Sequence, residues 1–274
     1  MREFAVAAGF STFLLGIFLI FVAAGWPGSQ NSCVTDTDGG KRANTCYCEP
    51  FVKADIGKSG VRQPFNTWSN LYALFTGGGL ALFVYLQRRG GLAASGNRMR
   101  STSFYPLLYI AIVIFLGLGS MWFHASLTEW GGIFDNLSMY TFTNFLVFYT
   151  IVRLTDVDLI FYIGYPLATL GLTVVSVLGG SSLIVCVFSV AAYLVLESII
   201  WLWKPEVRND WGVFWTAWVP GVGSILLSTV FWVLSQTDGP LCLKTHAFQF
   251  HGVWHLGAGV SALFLYIFWR NARR

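Results

Sequence analysis

Phe248-Gln-Phe-His251-Gly-Val-Trp-His255-Leu-Gly-Ala-Gly-Val-Ser-Ala-Leu-Phe-Leu-Tyr-Ile-Phe-Trp269 contains no Asp, Glu, Lys or Arg. As an α-helix it is long enough to cross a hydrocarbon core of about 30 Å. His251 and His255 stand four residues apart, so on a helix both imidazoles share one face. Imidazole is the commonest metal ligand. Ionisable groups inside a membrane helix are costly to place and mark functional sites. The stretch therefore points both to a membrane-spanning fold and to a binding site within it.

The rest of the chain has the same character. It has 274 residues, 55% hydrophobic and only 11% charged; an ordinary soluble domain carries about 25% charged residues. Many of the 12 tryptophans fall near segment ends, where an interfacial belt would place them. Eight candidate spans can be read: Phe4–Gly25, Pro64–Gln87, Phe104–Ser126, Gly131–Arg153, Leu159–Leu178, Ser182–Trp203, Trp211–Leu234 and Phe248–Trp269. Uninterrupted apolar runs of about 20 residues predict helices, because only closed hydrogen bonding satisfies a backbone in lipid. The expected fold class is an all-α polytopic membrane protein. No internal repeat is present, and no basic stripe suggests nucleic acid as a partner. Arg2 and Ala23-Ala24-Gly25 give the first span a signal-peptide look. Its apolar region exceeds the usual 7–15 residues or so, and the expectation is a retained helix. Gly77-Gly78-Gly79, Gly117 with Gly119, and Gly221 with Gly223 are expected to serve close helix packing.

Orientation follows from the basic residues. Arg88, Arg89, Arg98 and Arg100 follow the second span, and Arg270, Arg273 and Arg274 follow the last. With eight spans these share a side with Arg2, Arg153, Lys204 and Arg208, and the positive side is cytoplasmic. Both termini are expected there. The loop from Trp26 to Gln63 then faces outward and contains Cys33, Cys46 and Cys48, with Cys242 in another outer loop. These four thiols allow two disulfides in any of three pairings. Cys186 lies within a span and reads as packing.

This topology gathers the polar residues. Asn66 and Ser69 begin the second span, Ser120 and His124 end the third, Asp135 begins the fourth, and His251 and His255 begin the eighth. All fall in the outer third of the bilayer. Three neutral imidazoles suit Zn²⁺ and leave a fourth position open. A carboxylate can take a proton from water and deliver it to a leaving amine, and a hydroxyl can steady a developing oxyanion. Structural readings stand beside these. A buried histidine can simply link helices, and Asn66, after Pro64, can be an N-terminal cap or a support behind the ligands. His246 reads as interfacial; Glu197 and Asp210 have no assigned role.

Ser120-x3-His124, Asp135 eleven residues on, and His251-x3-His255 resemble the alkaline ceramidases. So do Gly119-Ser-Met-Trp-Phe-His124-Ala-Ser-Leu and Phe65-Asn-Thr-Trp-Ser-Asn70. That family belongs to the CREST superfamily of seven-helix membrane hydrolases. The likeness runs from about Cys46 to Trp269. It implies a seven-helix CREST-type bundle over residues 64–274, preceded by an additional transmembrane helix (1–25) and an extracytoplasmic loop (26–63). It implies Zn²⁺ held by His124, His251 and His255, with Asp135 orienting or deprotonating the water and Ser120 assisting. In that family an acid-rich segment before the first helix binds Ca²⁺. Cys46-Tyr47-Cys48-Glu49 matches it only in part, through Glu49. The implied activity is hydrolysis of ceramide, or a related N-acyl membrane lipid, to a fatty acid and a sphingoid amine. Two alternatives share these residues: a hydrolase of another acyl lipid, phospholipase-like, and a zinc-containing receptor or structural membrane protein without turnover.

Overall fold

The computed structural model describes residues 1–31, 33, 47–52, 55–90, 96–100, 104–205, 210–244 and 247–271. Cys46, His246, Arg208, Arg273 and Arg274 lie outside these. Helix α1 spans Arg2–Ala24, α2 Pro64–Ser69, α3 Tyr72–Arg89, α4 Phe104–Ser126, α5 Glu129–Thr155, α6 Asp158–Val177 and α7 Ser182–Trp203. After α8 (Trp211–Val213) comes a π-helical turn, Phe214–Trp218; α9 (Val219–Leu234) and α10 (His251–Arg270) complete the bundle. The protein is an all-α polytopic membrane protein. Among the described residues, seven stretches are long and apolar enough to span a bilayer: Arg2–Ala24, Pro64–Arg89, Phe104–Ser126, Asp158–Val177, Ser182–Trp203, Trp211–Leu234 and His251–Arg270.

The remaining long helix, α5, was expected to be an eighth apolar span. It is long enough but more polar, carrying Asp135, Asn136, Ser138, Thr143 and Asn144. Its position explains why this is tolerated: α4, α6 and α7 all pack against it, so protein rather than lipid meets its polar face.

α4 is the central helix. It packs against α1, α2, α3 and α5, and nearly all of its side chains are buried. α10 packs against α9 and α3, closing the ring on that side. α7 and α9 scarcely touch, which leaves a seam in the wall. α6 and α1 pack outside the ring, α6 on α5 and α1 on α3 and α4.

Two spans expected as single helices are broken. Pro64–Gln87 divides at Asn70-Leu71, where the Asn70 side chain donates to the Asn66 carbonyl at 2.8 Å and competes with the helical ladder. Trp211–Leu234 widens into its π-turn just before Pro220. Proline has no N–H to return to the preceding turn, and its ring crowds the carbonyl four residues back. The glycine reading holds for Gly77, Gly117, Gly119 and Gly221, each packed against a neighbouring helix. It does not hold for Gly78, Gly79 or Gly223, which face open space.

Both ends of the bundle are tied. At the end bearing the chain start, the buried Glu3 carboxylate pairs with Arg88 of α3 and with the α-amino group. Near that end Arg153 and Glu197, both fully buried, form an ion pair of 2.7 Å between α5 and α7. At the other end Cys48 is bonded to Cys242. Cys33 is also in a disulfide, with its partner outside the described residues. Cys186 is a free, buried thiol.

Candidate metal centre and adjoining cavity

His124 on the last turn of α4 and His251 and His255 on the first turns of α10 converge, with one nitrogen from each ring within 4.8 Å of the others. All three are buried. Gly252 makes the approach possible: a Cβ there would meet a Phe65 ring carbon at 2.5 Å and Ser69 Cβ at 3.2 Å. Without that side chain α2 lies close enough to α10 for Ser69 to reach His255.

Neighbouring hydrogen bonds set the tautomers of His124 and His255. His124 Nδ1 lies 2.8 Å from the Gln63 amide oxygen. That oxygen can only accept, so Nδ1 carries the hydrogen and Nε2 keeps its lone pair. Nε2 is buried with no partner. His255 Nδ1 lies 2.7 Å from Ser69 Oγ, whose own hydrogen goes to the Asn66 carbonyl at 3.1 Å. Ser69 therefore accepts from Nδ1–H, and His255 Nε2 is also a bare lone pair. His251 has its Nδ1 buried without a partner, and its ring stacks on Tyr47 at 3.8 Å between centroids. Three buried imidazoles with a nitrogen each within 4.8 Å of the others form a donor set suited to a metal ion.

Ser120, one turn before His124 on α4, has its hydroxyl 3.4 Å from His255 Nε2 and 3.4 Å from Asn70 Nδ2. Asp135 comes from the second turn of α5 with that hydroxyl beside its carboxyl group. Five of the site residues read from sequence therefore meet: His124, His251, His255, Ser120 and Asp135. Ser69 and Asn66 stand behind them. Asn66 acts through its backbone carbonyl, and its amide has no hydrogen-bond partner.

Glu49, the residue through which the Ca²⁺-binding motif is partly matched, stands at the start of α2. Its two carboxylate oxygens accept the backbone N–H groups of Phe65 at 2.6 Å and Asn66 at 2.8 Å, at the start of α2. An anion there complements the helix N-terminus. Among the described residues no cluster of potential metal ligands includes it. Burial raises its pKa, opposed by those two N–H groups.

Two members of the site went unread in the sequence. Gln63 fixes His124, and its amide nitrogen donates to the Glu49 carbonyl at 3.1 Å. Tyr47 covers His251. A buried polar residue immediately before Pro64 is the only signal that could have flagged Gln63.

One turn deeper along each helix, the polar groups give way to apolar ones. Leu116, Met139 and Ala258 stand a turn below Ser120, Asp135 and His255. With Cys186, Leu226 and Trp232 they line a cavity of about 170 Å³. Its wall includes Val187 and Leu226, both exposed on the seam between α7 and α9. A buried histidine trio that could hold a metal ion, with a carboxylate beside it and an apolar cavity below, is an arrangement suited to hydrolysis of a lipid-like substrate in the membrane. The chain belongs to the Ceramidase family, whose model matches residues 61–273. The match begins after α1 and the loop carrying Tyr47 and Glu49. No curated protein matches the chain in sequence.

Proposed function

We propose that the protein is a zinc-dependent amidase that hydrolyses ceramide or a related N-acyl lipid to a fatty acid and a sphingoid amine. One observation carries the reading: three buried histidines, with one nitrogen of each within 4.8 Å of the others, share a site with Asp135, directly above an apolar cavity open at the α7–α9 seam. His124, His251 and His255 would hold the metal. Three imidazoles with one position left for water or substrate are a common zinc hydrolase arrangement. When bound, the ion would polarise the substrate carbonyl and acidify water.

The chain's own residues do the rest. The cavity takes the lipid's hydrocarbon and excludes water from it, which orients the amide towards the histidine trio. Asp135 takes a proton from the attacking water as the C–O bond forms. It returns that proton to the amide nitrogen as the C–N bond breaks. Ser120, between Asp135 and His255, holds the water in line for attack. Gln63 and Ser69 keep His124 and His255 in the tautomer that faces the centre. The arginine distribution supports cytoplasmic termini and an active site near the opposite face.

The test is metal analysis of the purified protein together with fatty-acid release from ceramide and from a glycerophospholipid. Amide-selective release that disappears with zinc removal is the expected result. The reading fails if His124→Ala and His251→Ala retain both zinc and turnover. Preferential release from the phospholipid would assign the same site to ester substrates instead.

A further inference from the structure

One side chain joins the histidine trio to the cavity, and it lies outside the family match. Tyr47 stacks on His251 at 3.8 Å with 25° between the rings, and its centroid is 5.1 Å from that of His124. Its hydroxyl accepts the Trp232 indole N–H at 3.3 Å. Trp232 lines the apolar cavity, as does Cys186, and the phenol oxygen lies within electrostatic reach of both Cys186 and Asp135. The ring therefore stacks on the histidine trio, and the hydroxyl is tied through Trp232 to the cavity wall. Among the described residues no acceptor takes the hydroxyl's own hydrogen.

The backbone at this position is also unusual. Tyr47 has φ of 113°, a conformation that side-chain-bearing residues adopt only at a cost. Such a residue persists where its surroundings over-determine it. Here the next residue, Cys48, is bonded to Cys242, and the one after, Glu49, caps α2. The phenol is thus held in place before any substrate arrives, as an electrostatic donor must be.

We infer that the Tyr47 hydroxyl donates a hydrogen bond to the carbonyl oxygen of the scissile amide and to the oxyanion it becomes. This assignment rests on the amidase reading. As the water oxygen bonds to the carbonyl carbon, the carbonyl π pair moves onto oxygen beneath the Tyr47 O–H. When the pair returns, the C–N bond breaks and the amine leaves with the proton carried by Asp135. Tyr47 keeps its proton throughout. Ser120 is left to serve the water on the Asp135 side, so the two hydroxyls have separate tasks.

Tyr47→Phe removes the hydroxyl and keeps the ring on His251. The expected result is wild-type metal content, a kcat lower by roughly 10²-fold with little change in KM, and a similar loss in affinity for a phosphonate mimic of the tetrahedral intermediate. Affinity for a ceramide analogue with the carbonyl reduced to methylene should be unchanged. Equal kcat and equal phosphonate affinity in wild type and Tyr47→Phe would overturn the assignment. Loss of metal from Tyr47→Phe would also overturn it, by making the residue a prop for the ligands. If the wild type itself holds metal but never cleaves an amide, the amidase reading falls and this role falls with it.

Discussion

Replacing Gln63 by leucine should weaken metal binding without touching a ligand. Gln63 and His124 are both fully buried and meet at 2.8 Å. Leucine fills much the same volume but accepts no hydrogen bond. The imidazole N–H is then left unsatisfied inside the protein, at about 1–3 kcal/mol. The ring can escape that cost by shifting its hydrogen to Nε2, the nitrogen needed for the metal, or by rotating away. Loss of a partner behind a metal-bound histidine typically lowers affinity by about 10–100-fold, or about 1.4–2.7 kcal/mol. The two ranges overlap, as expected if the unsatisfied N–H is the main cost. A competitive chelator titration of the detergent-purified protein measures the change. Gln63→Glu supplies a stronger acceptor at the same place and should bind metal at least as tightly as wild type. The reasoning is refuted if Gln63→Leu keeps both the wild-type melting temperature and the wild-type metal affinity.

Other expectations follow from the same structure. Asp135→Asn should retain metal and lose most of its turnover, because the amide neither takes nor returns the water's proton; metal analysis beside the lipid assay separates the two. Arg153→Met alone should destabilise the bundle by about 3–5 kcal/mol by stranding Glu197, whereas Arg153→Met with Glu197→Met should recover most of the loss; denaturation midpoints of the three proteins decide it. Cys48→Ser should lower thermal stability and quicken metal loss to chelator, since Tyr47 and Glu49 flank that bond; an unchanged off-rate would count against the clamp. Burial raises the Glu49 pKa in the folded protein, so the fold binds its proton more tightly than the unfolded chain does. Its contribution to stability is therefore present at low pH and lost as pH rises through the usual carboxylate range, about pH 4, to the raised value. Glu49→Gln should flatten that part of the melting profile.

The fold was largely legible because lipid allows a backbone few solutions. Long apolar runs gave the helices to within a few residues, and the His251-x3-His255 spacing already placed two imidazoles on one face. His124, Ser120 and Asp135 could be added because each stands near a span end on a shared side. What stayed hidden depends on contacts between distant segments. Gln63 looks like an ordinary loop residue until α4 brings His124 against it. Tyr47 lies in a loop without periodicity, and contacts between distant segments, the Cys48–Cys242 bond among them, put it over His251. The break at Asn70 and the wide turn before Pro220 are local events that hydropathy averages away. The contacts of Glu49 were hidden for a related reason: its N–H partners belong to a short helix that hydropathy merges with the next.

The Cys48–Cys242 bond also constrains how the protein is made. Cys48 enters the membrane system with the first loop, but its partner is 194 residues further along the chain. The bond can close only after every helix except α10 has been synthesised, and α10 carries two of the three histidines. Until then Tyr47 and Glu49 are untethered, and His124 waits alone. The histidine site is thus completed late in synthesis, by a covalent step that joins the chain's early and late segments. Truncation before Cys242 would leave Cys48 without its partner and the site without His251 and His255.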